Sequence, residues 1–179
     1  MIIDTHCHID LYPNPRKVLQ DCVKANITLL AMTNLPSHFE IGYSHFQSLR
    51  KIRLALGMHP LMADFHKKEF DLFLKNINKT SYIGEIGLDF SKEGYETKDI
   101  QLASFNRILK LVSDKKKILS LHSRKAENEV FELLIQYKIQ YAIFHWYSGQ
   151  LNLIKTISKA GYYFSINPAI IRSISGQKI

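Results

Sequence analysis

A chain of 179 residues, 46% apolar and 22% charged, suits a single domain spanning 1–179 with its own core. It has no basic-then-apolar leader and no apolar run near the ~20 residues that cross a bilayer, and its two cysteines, Cys7 and Cys22, make neither a disulfide framework nor a Cys-x-x-Cys site. A cytoplasmic protein without a membrane partner is therefore expected, and the net charge of +8 with a pI near 9.4 suits a polyanion such as nucleic acid, although charge alone does not establish one.

The first apolar run, residues 1–8, ends in Asp4-Thr5-His6-Cys7-His8. Alternate side chains of a strand share a face, so His6 and His8 project together, with Cys7 packing behind them. Asn14 with Pro15 then opens a helix carrying Val18, Leu19, Cys22 and Val23. Residues 27–33 form an unbroken apolar run of strand length, and Ser37 opens a helix through Phe39, Phe46 and Leu49. A third strand over 52–58 stops at His59-Pro60, before a helix with Phe65, Phe70, Phe73 and Ile77. The fourth, over 81–89, is rich in glycine. The longest helix starts at Thr97 or Asp99. Strands over 118–122, 139–145 and 161–166 alternate with helices over 126–137 and 148–159.

Strict alternation with apolar strands predicts a parallel sheet covered by helices. An open doubly wound sheet and a (β/α)8 barrel both satisfy the pattern, and the polar residues separate them. His6, His8, His59, Glu85, His122 and His145 fall at or near the carboxyl ends of different strands, from the first to the sixth. Only in a barrel do those ends meet at one mouth, so the expected fold is an α/β TIM-type (β/α)8 barrel. About seven strands are read where closure takes about eight. Residues 175–179 look like a helix start. The barrel is therefore expected to be incomplete at its C-terminus, with its first and last strands as unpaired edges or closed by another polypeptide.

Histidines gathered around a carboxylate are metal-ligand chemistry, and imidazole with carboxylate suits Zn, Mn, Ni or Fe. Glu85, flanked by Gly84 and Gly87, is placed to bridge two ions. His6, His8, Glu85, His122 and His145 are too many ligands for one tetrahedral ion with an open position. Trp146 follows His145 in the loop over the mouth, where its face could stack on a base. Asp10 and Asp89 are either partners of ligands or simple caps. His38, His45 and His66 are expected on the solvated surface.

The motifs Asp4-Thr-His-Cys-His-Ile-Asp10, Gly57-Met-His-Pro60, Gly84-Glu-Ile-Gly-Leu-Asp89, His122-Ser-Arg124 and His145-Trp-Tyr-Ser-Gly149 resemble, in order and spacing, those of the TatD family of metal-dependent deoxyribonucleases. Leu11-Tyr-Pro-Asn-Pro15 and Phe164-Ser-Ile-Asn-Pro168 are similar to its QatD branch, found in anti-phage defence operons. The resemblance implies a metal-dependent hydrolase fold of the TIM type with two divalent ions (Mg, Mn or Zn). His6 and His8 would hold one ion, Glu85 would bridge, and His122 and His145 would hold the other. His59 and Arg124 would grip the scissile phosphate, so Glu85, His59 and Arg124 are the expected catalytic residues, with Trp146 as a further substrate contact. The family's last ligand, an aspartate in a Glu-Thr-Asp motif after strand 8, has no counterpart in these residues. The expected function is a DNase, an exonuclease on single-stranded or frayed DNA ends serving anti-phage defence, with RNA and other subunits of a defence complex as further partners. Two alternatives stand beside it, a catalytically impaired barrel acting as a scaffold subunit and a dinuclear amidohydrolase on a small amide or lactone.

Overall fold

The computed structural model describes residues 2–174 and 176–178. Met1 of the first predicted strand, and Ser175 and Ile179 of the predicted helix start at 175–179, lie outside the described residues. In chain order the elements are β1 (Ile2–Cys7), α1 (Pro15–Lys24), β2 (Ile27–Ala31), α2 (Pro36–Phe46), β3 (Ile52–Leu54), β4 (Leu56–Met58), α3 (Ala63–Asn76), β5 (Tyr82–Gly87), α4 (Lys98–Val112), β6 (Ile118–His122), α5 (Glu127–Gln136), β7 (Ala142–Phe144), α6 (Leu151–Lys159), β8 (Tyr163–Phe164) and α7 (Pro168–Arg172), with short 3-10 turns between some of them. No helix among the described residues is long and apolar enough to cross a membrane.

The helix starts follow local chemistry. Asn14 accepts a hydrogen bond from the Lys17 N–H at 3.0 Å while Pro15 takes the first helical position. Helix α2 begins at Pro36 rather than at Ser37. The Ser37 N–H instead donates to the Glu69 carboxylate at 2.9 Å, which ties α2 to α3.

Every strand pair is parallel, in the order β1-β2-β3 and β4-β5-β6-β7-β8. The strands thus follow the sequential order of a barrel in two hydrogen-bonded sheets, and among the described residues no strand pairing closes β8 onto β1. One groove of about 800 Å³ separates those two edges, lined by Ile2 to His8 on one side and Phe164 to Pro168 on the other.

The predicted strand over 52–58 divides at Ala55, and Thr33 occupies the break. Its hydroxyl donates to the Ala55 carbonyl (2.9 Å) and accepts from the Gly57 N–H (3.0 Å). Its backbone passes over β4 to reach β5, donating to the Gly84 carbonyl (3.3 Å) and accepting from the Glu85 N–H (3.1 Å). Thr33 therefore joins the three-stranded sheet to the five-stranded one beside Glu85. The predicted strand over 139–145 is shorter than its apolar run because its first residues close α5. Lys138 has φ 53°, and the Ile139 N–H returns to the Leu134 carbonyl at 2.9 Å. Only Tyr163 and Phe164 of the run over 161–166 pair with β7.

The inner strands β2 and β4 to β7 are covered on both faces, as parallel strands require, whereas the edge strands β1 and β8 leave Ile2, Ile3 and Tyr163 exposed. Leu29 and Ala31 of β2 enter a large core with Phe39, Phe70, Phe73, Phe105, Leu109, Val130, Leu134 and Ile157 of the helices. Leu30 and Met32 point the other way, into a small cluster with Ala55 and Tyr82. That inner cluster underlies the polar mouth.

A Cβ built on Gly57 would sit 1.6 Å from the Thr33 carbonyl oxygen, so no side chain fits while Thr33 crosses there. Gly57→Ala is expected to cost about 2 kcal/mol and lower Tm by roughly 4–8 °C, because the displaced backbone also carries the Glu85 N–H contact. Thermal and urea unfolding of the variant check this.

Candidate metal centre

The carboxyl ends of β1, β4, β5, β6 and β7 deliver their polar residues to one cavity of about 540 Å³. His6, His8, His59, Glu85, His122, Arg124, His145 and Trp146 all line it, with Leu61, Ser123 and Ser148. Every site residue predicted from the sequence is therefore brought to one mouth. The barrel-like order of the strands is what makes this possible, since these residues lie up to 140 positions apart in the chain.

At the centre is Glu85, only 3% exposed. Its Oε2 lies 2.9 Å from His8 Nε2, 3.3 Å from His6 Nε2 and 3.3 Å from His59 Nε2, while Oε1 lies 2.9 Å from His122 Nδ1. Burial pushes this carboxyl up, but the bonds from His122, His59, His6 and His8 outweigh it and hold it well below the usual range. The glycines beside Glu85 serve its neighbours more than its own side chain. A Cβ on Gly84 would press on Met32 and Ser120, and Gly87, at φ 136°, lies against the His122 carbonyl.

Two triads of potential ligand atoms share this glutamate, His6 with His8 and His59 with His122, each within a 4.8 Å span. The donor chemistry fits a divalent ion in the first. His6 Nε2 and His8 Nε2 face each other at 3.2 Å and converge on the same carboxylate oxygen. Such convergence of two imidazole nitrogens on one carboxylate oxygen is what a cation satisfies.

The outer nitrogens fix what the inner ones can do. Asp89 Oδ2 accepts from His122 Nε2 at 2.7 Å, so that nitrogen carries the proton and Nδ1 faces Glu85. Without an ion, burial lowers the His122 pKa but the bonds to Asp89 and Glu85 prevail, raising it to about 9. Asp89 is correspondingly held at about 2, against its burial, by His122 and Ser91. His59 differs. Its Nδ1 accepts from the Leu61 N–H at 3.2 Å, which leaves Nε2 as the nitrogen that presents N–H to the mouth, a donor rather than a lone pair. His6 Nδ1 meets Ser120 Oγ at 2.8 Å. His8 Nδ1 is buried with no partner among the described residues.

His145 belongs to neither triad. Its ring stacks on His6 with centroids 3.3 Å apart, and its Nδ1 meets Ser165 Oγ at 2.9 Å. Burial and the neighbouring His6 push its pKa down to about 3. Arg124 lies at the rim, its guanidinium 3.1 Å from the Glu93 carboxylate. Trp146, at φ 43°, is 56% exposed, while Tyr147 is buried beneath the loop with its hydroxyl on the Gln150 carbonyl.

Asp89 is a partner of a ligand and also a cap, for its other oxygen accepts from the Ser91 N–H. Asp10 is exposed and takes no part. His38 and His45 are exposed and Cys7 is buried in the core, as expected. His66, expected on the surface, is instead 3% exposed. The first turn of α3 lies against α4, where His66 bonds both Ser104 Oγ (2.7 Å) and the His59 carbonyl (3.0 Å). The orienting serines escaped the sequence reading. Ser120 had a signal, since it shares a strand face with His122.

The sequence model of one family, described as TatD related DNase, matches residues 3–178. Deoxyribonuclease TATDN3 of Homo sapiens is 28% identical over 197 residues, covering 99% of this chain and 72% of that protein. An uncharacterized metal-dependent hydrolase of Methanocaldococcus jannaschii is 29% identical over 187 residues, covering 99% and 72%. Among solved structures, a TatD homolog from Escherichia coli K12 superposes with a TM-score of 0.83 at 23% identity, covering 94% of this chain and 69% of that one. A TatD family hydrolase from Entamoeba histolytica gives 0.80 at 20% identity, covering 98% and 68%. The likeness to these structures supports the α/β, TIM-barrel-like arrangement, and the family model spans nearly the whole chain. This chain belongs to the TatD-related DNase family of metal-dependent hydrolases.

Proposed function

We propose that this chain hydrolyses phosphodiester bonds of DNA, with two divalent ions held around Glu85, and that it works on single-stranded or frayed ends. The observation that carries this reading is the grip on both oxygens of one buried carboxylate, Oε2 by His6, His8 and His59 and Oε1 by His122. A carboxylate so placed suits a bridge. His6 and His8 would hold one ion. His122, through Nδ1, would hold the other together with His145, whose ring would have to leave its stack on His6 to join. Mg, Mn and Zn are the candidate metals.

Divalent ions in such a site polarise phosphoryl oxygens and lower the pKa of water. The remaining work falls to the chain itself. Asp89 and Ser120 hold the His122 and His6 rings in orientation. His59 offers Nε2–H as a donor to a phosphate oxygen. Arg124 would exchange Glu93 for a second phosphate oxygen, with a guanidinium geometry suited to that contact. Trp146 offers an exposed face at the rim on which a terminal base can stack. The charge of +8 favours the polyanion throughout.

The similarity of residues 11–15 and 164–168 to the QatD branch supports a role in anti-phage defence, while the two free cysteines support a cytoplasmic setting and the family match over residues 3–178 supports a single domain over 1–179. The groove between β1 and β8, with Ile2, Ile3, Leu11 and Ile166 exposed along it, supports a polypeptide strand of a defence complex as a protein partner. RNA is a further candidate substrate.

With Mn or Mg, the purified chain is expected to release nucleotides from a labelled single-stranded DNA oligomer. Glu85→Gln should cut turnover by about 100–1000-fold. Undiminished cleavage by that variant overturns the assignment. Metal analysis should find two ions per chain. Because His122 stays protonated up to about pH 9 without metal, ion binding at pH 7–8 should release a proton. Apparent affinity should then rise about tenfold per pH unit and level off above about pH 9. Titration calorimetry in buffers of different ionisation enthalpy measures both.

A further inference from the structure

Three polar side chains lie behind the centre, fully inside the protein and unused by the chemistry above. Gln101 is 0% exposed, Ser104 8% and His66 3%. Gln101 and Ser104 are one turn apart on α4 and so share a face. Each connects to a different side of the mouth.

Gln101 Oε1 accepts the Asp89 N–H at 2.8 Å, and its amide donates to the Gly94 carbonyl (2.7 Å) and Thr97 Oγ1 (3.0 Å). Asp89 in turn orients His122. On the other side, the His59 carbonyl can only accept, so His66 Nε2 carries the proton that meets it. A neutral ring then presents Nδ1 as an acceptor to Ser104 Oγ at 2.7 Å, whose single proton also lies within reach of the Ile100 carbonyl at 2.8 Å. The His59 and His122 rings stand edge to face with centroids 4.9 Å apart, one on each oxygen of Glu85.

We propose that Gln101, and Ser104 acting through His66, are positioning residues: one face of α4 sets the placement of His59 and His122 relative to Glu85. Helix α4 serves as a rigid ruler behind the mouth. Loss of the Gln101 contact frees Asp89 and with it His122, which weakens metal binding. Loss of the His66 contact frees the turn after β4 and with it His59, which weakens the hold on the phosphate. The roles assigned to the two rings rest on the function proposed above, but their placement does not.

The test compares Gln101→Met, which removes all three side-chain hydrogen bonds at similar volume, with Gln101→Glu, which keeps the acceptor for the Asp89 N–H. It likewise compares His66→Met with His66→Gln, whose amide nitrogen can replace Nε2. The first readout is the histidine ring nitrogen spectrum of the metal-free protein by NMR, which needs neither metal nor activity. Gln101→Met should shift the His122 ring signals and His66→Met those of His59, while Gln101→Glu and His66→Gln keep them near wild type. The second readout separates affinity from turnover. Gln101→Met should weaken Mn binding about 10–100-fold. His66→Met should raise KM about tenfold with metal affinity retained. Ring signals unmoved in both Met variants overturn the proposal, as does a shift that the conservative variants fail to reverse. Shifted rings in a chain that binds no Mn uphold the positioning and overturn the metal reading alone.

Discussion

An ionised carboxylate cannot be buried to the depth of Glu85 unless charge and hydrogen bonds replace the water it has lost. Taking such an ion out of solvent costs several kcal/mol. Here four imidazoles supply the replacement, two of them at the end of β1 and one each at the ends of β4 and β6. Much of the local backbone follows from that arrangement. Thr33 departs from β2 to meet the Glu85 N–H, Gly57 has no side chain because Thr33 crosses above it, and Gly87 makes room for the His122 carbonyl.

The imidazoles are constrained in turn by what stands behind them. Asp89 and the Leu61 N–H each hold an outer ring nitrogen and thereby decide whether the inner one is a donor or a lone pair, while Ser120 orients the His6 ring in either role. That separates His59 from His122, although both lie within reach of the same carboxylate. The first presents a proton to the mouth. The second, with its outer nitrogen committed to Asp89, can turn a lone pair inward once it loses its second proton.

The fold was largely legible because alternating apolar runs and amphipathic stretches are local consequences of burial. The departures have local causes of another kind. The run over 52–58 is apolar but for Arg53, yet it breaks where the Thr33 side chain, just beyond β2, takes over its hydrogen bonds. The run over 139–145 loses its first residues to the closing turn of α5. Neither competition is visible in hydropathy, since both are settled by which backbone groups find partners first. His66 was misplaced for a related reason, because a helical histidine looks solvated until the helix packed against it is known.

The alternation of strands and helices, the ligand-type residues at the strand ends and the motifs of the TatD family are all legible in the residues alone, because strand periodicity and residue chemistry are written position by position. Packing in three dimensions is what holds Glu85 on both oxygens, stacks His145 on His6 instead of joining it to either triad, turns Arg124 to Glu93, and brings α4 up to both His59 and His122 from behind. These relations join residues far apart in the chain through angles and distances of a few ångströms. Such geometry is set by packing, which no local pattern encodes.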